Sequence, residues 1–308
     1  MTDAALNRQV MAEGSASFRA ATRLFDRALR EDVWALYAWC RYCDDQIDGQ
    51  ALGHGFEALT PAVRAARLKQ LREETAAALA GRKVASAPFQ ALQSVALRHR
   101  LSPAEPMTLL DGFAMDVEGR RFDTMDELLT YCWGVAGVVG VMMAQIMGAR
   151  DPSALRRAQD LGLAFQLTNI VRDILEDARA GRAYLPGRRL ASHGVGDSAE
   201  AILAGSRPAV HRTALELLDL AEAYYASSRA GLRALPLRAA LATAAARGVY
   251  REIGRRIRRE GPAALERRVV IPRRVKLWLA GRGALVALWS RVERFLPVPD
   301  RPNLWTHV

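Results

Sequence analysis

Residues 162–186 read GLAFQLTNIVRDILEDARAGRAYLP, and the change of character along that stretch decides the fold. It opens apolar and aromatic, turns acidic, and breaks at Gly181. Asn169, Asp173 and Asp177 repeat a spacing of four, with Gln166 about one turn ahead of them. On a helix that spacing stacks side chains on one face, so the segment predicts a mostly buried helix carrying an oxygen-bearing stripe about two turns long.

A second segment upstream has the same design. AWCRYCDDQIDG, residues 38–49, places Asp44 and Asp48 four apart, with Arg41 and Tyr37 continuing the stripe backward and Gly49 at its end. Local physics opposes both arrangements. Carboxylates one turn apart repel by about 0.2–0.5 kcal/mol per pair, and the partial negative charge at a helix C-terminus adds a further penalty. A cation is the natural compensator. Oxygen ligands with no His or Cys among them suit Mg²⁺ or Mn²⁺, which bind through a carboxylate or two plus phosphate oxygens. One isolated D-x-x-x-D reads as a solvated helix face; two, each behind an apolar run, read as a metal-diphosphate site. Arg41 and Arg172 add guanidinium forks that match phosphate geometry.

Outward from these segments, helical periodicity dominates from Ala16 to Phe295, and no alternating run bounded by turn residues predicts a strand. The fold class is all-α. Breaks at 49–55, 81–88, 102–106, 151–153, 181–196, 205–208, 235–237 and 261–262 leave eight to ten helices and no linker, so the 308 residues are expected to form a single domain. Half of the residues are hydrophobic, enough for a core and for a lined pocket. Cys40, Cys43 and Cys132 are odd in number and lie among apolar neighbours, which predicts reduced core thiols. The five histidines form no ligand spacing and receive no chemistry.

The first ten residues, MTDAALNRQV, lack the apolar core of a secretory signal, so a cytoplasmic location is expected. The best apolar candidate for a membrane span, Trp278 to Trp289, is interrupted by Arg282. The net charge of +11 is concentrated towards the end, from Arg247 to Lys276. Such asymmetry suits an anionic partner, or simply solvates helix faces. Nucleic acid is not expected, because no aromatic-basic readout motif accompanies the charge. With Trp278 and Trp289 nearby, the basic helices predict peripheral contact with an anionic membrane at its inner face.

Six segments in order resemble the squalene/phytoene synthase family. They are GSASF at Gly14 to Phe18, LYAWCRYCDDQIDG at Leu36 to Gly49, DGFAMDVEGRRFDT at Asp111 to Thr124, YCWGVAGVVGVMMA at Tyr131 to Ala144, the opening stretch, and VYREIG at Val249 to Gly254. The resemblance spans nearly the whole chain and implies an isoprenoid synthase helical bundle around a deep apolar cavity. It implies that Asp44, Asp48, Asn169 and Asp173 bind magnesium, with Asp177 supporting. It further implies that Ser15, Ser17, Tyr37, Arg41, Gln166, Arg172 and Tyr250 contact diphosphate or prenyl chain.

The implied reaction joins two geranylgeranyl diphosphates head to head through a cyclopropyl diphosphate to phytoene, releasing two diphosphates. No nicotinamide-binding fingerprint is visible, so NADPH is not expected. Two alternatives stay open: a farnesyl-using squalene or dehydrosqualene synthase, and a prenyl-lipid-binding protein of the same fold without turnover. Phe18, Phe25, Tyr37, Tyr131, Trp133 and Phe165 are candidates to line the cavity or to form plain core. GVAGVVG, Gly134 to Gly140, either leaves room for a prenyl tail or packs helices closely. Asp111 and Asp116 take either a cavity role or structural hydrogen bonds. Family members carry Ser/Thr where this chain has Val270, Ile271 and Pro272 in RVVIPRRVKL, residues 268–277, which leaves the role of that segment open. Oligomeric state is not legible.

Overall fold

In the computed structural model, residues 22–50, 59–301 and 303–307 are described; Ser15, Ser17 and Phe18 lie outside them. Twelve α-helices follow one another among the described residues, with no strand: α1 Arg27–Asp48, α2 Pro61–Leu79, α3 Ala87–His99, α4 Ala104–Val117, α5 Met125–Cys132, α6 Val138–Ile146, α7 Pro152–Arg179, α8 Gly187–Ser192, α9 Ala199–Ala204, α10 Arg207–Ser228, α11 Leu237–Glu260 and α12 Arg273–Val292. A π-helical turn, Trp133–Gly137, joins α5 to α6, and short 3₁₀ turns follow α10, α11 and α12.

The two acidic helices begin and end as their sequences dictate. Asp26 caps α1, its carboxylate accepting from the Leu29 amide at 2.9 Å, and Gly49 closes the helix in the left-handed region at φ 67°. Asp151 caps α7 through the Ala154 amide, with Pro152 in the first turn where a missing N–H costs nothing. Gly181, at φ 78°, reverses the chain beyond the end of α7. Helix α7 is the spine of the fold. Leu163, Ala164, Leu167, Ile170, Val171, Ile174 and Leu175 are all buried in an apolar cluster with α10, α11 and the segment around α8 and α9. A second cluster gathers α1, α2, α3 and α4 against α6, and Trp133 and Val135 pack against both.

Twelve helices exceed the eight to ten expected. A break at 118–124 went unread, although Thr124 and Glu127 form a reciprocal capping box there. Helix α8 also lies inside the presumed loop 181–196, and α9 adds another short turn of helix. A further correction concerns apolar length. The continuous run Met125–Ile146 is 22 residues long and apolar enough to cross a bilayer, unlike Trp278 to Trp289, but 61% of its most apolar window is buried inside the protein, as in a core helix.

The glycine-rich run explains how that helix is accommodated. A Cβ on Gly134 would meet the Gly112 backbone at 2.9 Å, and one on Gly162 would meet the Ala136 carbonyl oxygen at 2.4 Å. Close helix packing therefore requires these glycines. Gly140 and Gly162 also border the central cavity, so the same small residues create room beside the contact.

Candidate active site

A cavity of ≈ 550 Å³ opens between α1, α4, α6, α7 and α11. Its polar end is lined by Tyr37, Arg41, Asp44 and Asp48 from α1, Gln166, Asn169, Arg172, Asp173 and Asp177 from α7, and Tyr250 from α11. Every described residue assigned to the site thus borders one space. The rest of the wall is apolar, including Leu109, Val139, Met143, Ala158 and Leu161.

Arginines hold the acids in place. Arg41 reaches Asp44 at 2.9 Å and Asp45 at 2.8 Å, and its Nη2 also donates to Gln50 at 3.3 Å. Arg172 forms a two-pronged pair with Asp173, with Nε at 2.8 Å from Oδ1. Arg268 approaches Asp173 at 3.4 Å and Glu176 at 3.6 Å. Across the gap, Arg182 pairs with Asp48 at 3.2 Å, tying the end of α7 to the end of α1.

Of the buried side-chain polar atoms with no hydrogen-bond partner among the described residues, two lie at this end of the cavity: Asn169 Oδ1 and Arg41 Nε. Such atoms cost about 1–3 kcal/mol each if left unpaired, and they mark where ligand oxygens and cations are expected. Among the described residues no three carboxylates, histidines or cysteines gather closely enough to enclose a metal ion alone. The acids stand as two separated pairs with space between.

Burial raises the Asp44 carboxyl to about 7; Arg41 opposes the shift and Asp48, Asp45 and Asp116 reinforce it. Its side chain keeps 37% of its surface accessible, so solvent moderates that shift. Asp177 is likewise pushed up to about 7, by burial first, against Arg182 and with Asp173, Glu176 and Asp116. Burial moves the Tyr37 hydroxyl to about 12.

Two site residues, Arg182 and Arg268, received no site role from the sequence. Asp116, read as either a cavity residue or a structural one, is both: it lines the cavity and accepts from Tyr184 at 2.7 Å and Tyr131 at 3.0 Å. Burial lifts it to about 6 against those two hydrogen bonds and Arg182. Arg182 itself follows the turn at Gly181, which sends the chain back across the cavity end; the glycine was read only as a stop. Arg268 falls in the segment that departs from family wording.

Of the aromatic candidates, Phe25, Tyr37, Tyr131 and Phe165 line the cavity, and Phe165 stacks on Tyr250 with centroids 4.3 Å apart. Trp133 does not line it and packs against His307 instead, at 5.2 Å. Asp111 is exposed and pairs with Arg72 at 2.6 Å, a structural contact.

The sequence model of squalene/phytoene synthase matches residues 11–275. A 15-cis-phytoene synthase from a Paracoccus species is 48% identical, the alignment covering 99% of this chain and 98% of that one. The 15-cis-phytoene synthase of Pantoea ananas is 47% identical over 96% and 95%. Among solved structures, a dehydrosqualene synthase crystallised with a ligand superposes with a TM-score of 0.80 at 26% identity, covering 91% of this chain and 95% of that one. With the family matched over most of its length and its motifs gathered around one cavity, this chain belongs to the squalene/phytoene synthase family.

Proposed function

We propose that this protein is a prenyltransferase that condenses two geranylgeranyl diphosphates to phytoene, the first committed step of carotenoid biosynthesis. The observation that carries the reading is the meeting of both acidic stripes, the α7 stripe carrying the partnerless Asn169 oxygen, at the polar end of one apolar cavity. The two relatives above, both 15-cis-phytoene synthases matched almost end to end, favour the C20 substrate over the farnesyl alternative.

Asp44, Asp48, Asn169 and Asp173 offer only hard oxygen donors and would hold a divalent cation, Mg²⁺ or Mn²⁺, together with diphosphate oxygens and water. When bound, that ion neutralises charge on the leaving diphosphate. The chain's own residues do the rest. Arg41 and Arg172 turn from carboxylate to phosphate oxygens when substrate arrives, and Gln166 and Tyr250 border the same space. The dry wall beyond keeps water from the allylic cation formed as the first diphosphate leaves. The second prenyl double bond attacks that cation, giving the cyclopropyl diphosphate with loss of a proton. Loss of the second diphosphate, rearrangement and loss of another proton complete the product. Faces of Phe165 and Tyr250 can each stabilise cationic charge by about 0.5–2 kcal/mol. No reductant enters that sequence. Ser15 and Ser17 keep their implied substrate role outside the described residues.

Helix α12 supports a cytoplasmic protein resting on the inner face of a membrane. Trp278, Leu285, Trp289 and Val292 fall at spacings of seven, four and three, which share one helix face, and all are more than half exposed. Arg282 lies over the Trp278 ring at 5.7 Å, and Arg273, Arg274 and Lys276 precede it.

Purified protein supplied with Mg²⁺ and each prenyl diphosphate is expected to release a C40 hydrocarbon from the C20 substrate. A C30 product from farnesyl diphosphate, with none from C20, would overturn the reading. Co-sedimentation with anionic vesicles at low salt tests the membrane contact; protein remaining in the supernatant would refute it.

A further inference from the structure

Towards the end of α7 away from the acids, the cavity is bordered by Ala154 and Arg157, with Gly231, Leu232 and Leu235 beside them. Arg157 and Asp173 are sixteen residues apart on α7, about 24 Å along a helix. This is the wall that the tail of a prenyl diphosphate held at the acidic end would meet.

That wall is braced from behind by residues 291–301, beyond the stretch matched by the family model. Arg291 donates to the carbonyls of Leu232 at 2.5 Å and Leu235 at 2.6 Å. Arg233, in the same turn as Gly231, donates to the Leu296 carbonyl at 2.6 Å. Arg157 points its guanidinium away, to Ser227 at 2.7 Å and the Pro299 carbonyl at 2.5 Å. Arg301 then clasps Asp160, which has no exposed surface, at 2.7 Å, and binds the Leu304 carbonyl, the Trp305 carbonyl and the Thr306 hydroxyl.

The consequence for Arg157 is specific. A Cβ on Gly231 would meet the Arg157 Cβ at 2.8 Å, so the arginine stem is pressed against the turn that forms the cavity end. Its charged head is satisfied outside. Without the brace, a cation only 4% exposed would lose the Pro299 carbonyl, and its neighbour Asp160 would lose its ion-pair partner. Either the head would turn inward or the floor would retreat.

We propose that residues 291–301, anchored through Arg301, fix the floor of the prenyl cavity and thereby set the chain length it prefers, with Asp160 and Arg301 as positioning residues. This inference rests on the prenyl-diphosphate reading of the cavity. One five-carbon unit separates C15 from C20, so a C15 chain held at the same acidic end stops one unit short of where a C20 chain ends. A floor held at fixed depth rewards the chain that reaches it and loses contact with the shorter one.

The test is binding of the unreactive thiodiphosphate analogues of C15 and C20, with inorganic diphosphate plus Mg²⁺ as the measure of the acidic end. The wild type is expected to favour C20 by on the order of tenfold. The paired variant Asp160→Asn/Arg301→Gln removes both charges together, and its preference is expected to fall to about twofold while diphosphate affinity holds. Arg301→Lys keeps the charge without the fork and should give an intermediate ratio; it also supplies the reading if the paired variant does not fold. A wild-type ratio near one, an unchanged ratio in the variants, or a parallel loss of all three affinities overturns the proposal. A wild type that binds C20 selectively yet makes no C40 product would instead overturn the reaction, leaving the floor intact.

Discussion

The acidic end of the cavity and the brace behind its floor are both built from arginine and aspartate, yet they are opposite kinds of structure. At the brace, Asp160 is wholly buried and receives Arg301 and Ser227, while Arg157 and Arg301 spend their remaining donors on carbonyls and hydroxyls. At the acidic end, two carboxyls are pushed towards neutrality, and Asn169 Oδ1 and Arg41 Nε have no partner. A satisfied charge network fixes a shape. An incompletely satisfied one, in a cavity, is held ready for a ligand that completes it.

The comparison can be broken by removing one acid from each region. If the proposed roles of these carboxylates in stabilising the leaving group hold, Asp48→Ala or Asp173→Ala is expected to lower product formation by at least about a thousandfold, with little change in helical circular dichroism. Full turnover in either variant would end the assignment. Asp160→Ala is expected to do the reverse. It leaves the partly buried Arg301 without its partner and empties a site where the lost carboxylate was wholly buried, which should cost about 3 kcal/mol in denaturant unfolding. A loss under about 1 kcal/mol would show that the brace does not depend on that pair.

The same contrast explains what could be read from sequence. The acidic end was legible because its signal is local: Asp44 with Asp48, and Asn169 with Asp173 and Asp177, announce themselves by a spacing of four. The ends of α1 and α7 were legible for the same reason, through Gly49 and Gly181. The brace was not, because Asp160 and Arg301 lie 141 residues apart and only the folded chain brings them together. Arg182 lay between these cases. The glycine before it was read as a stop, but only its left-handed backbone turns the arginine back onto Asp48. For Trp133 the sequence left cavity and core both open, and the fold chooses core, since helical spacing places an aromatic ring on a face without saying which neighbour will cover it.

The smallest expected effect sharpens the contrast most, because it asks whether the acidic end sacrifices stability. Burial raises Asp177 from an ordinary carboxyl value to about 7. Between about pH 4 and 7 the folded protein therefore holds a proton that the unfolded chain has released, and stability falls as pH rises through that window, then levels off. Asp177→Asn removes the charge while keeping the shape. It should stabilise the metal-free protein by about 1 kcal/mol at pH 8, after allowance for solvent screening, or about 2 °C in Tm. At pH 5 the gain should shrink, since the wild-type side chain is already protonated in the fold. Mg²⁺ with diphosphate should narrow the difference at pH 8 by stabilising the wild type more than the variant. Equal Tm differences at both pH values would mean that Asp177 carries no unfavourable charge, and that the acidic end is as well satisfied as the brace.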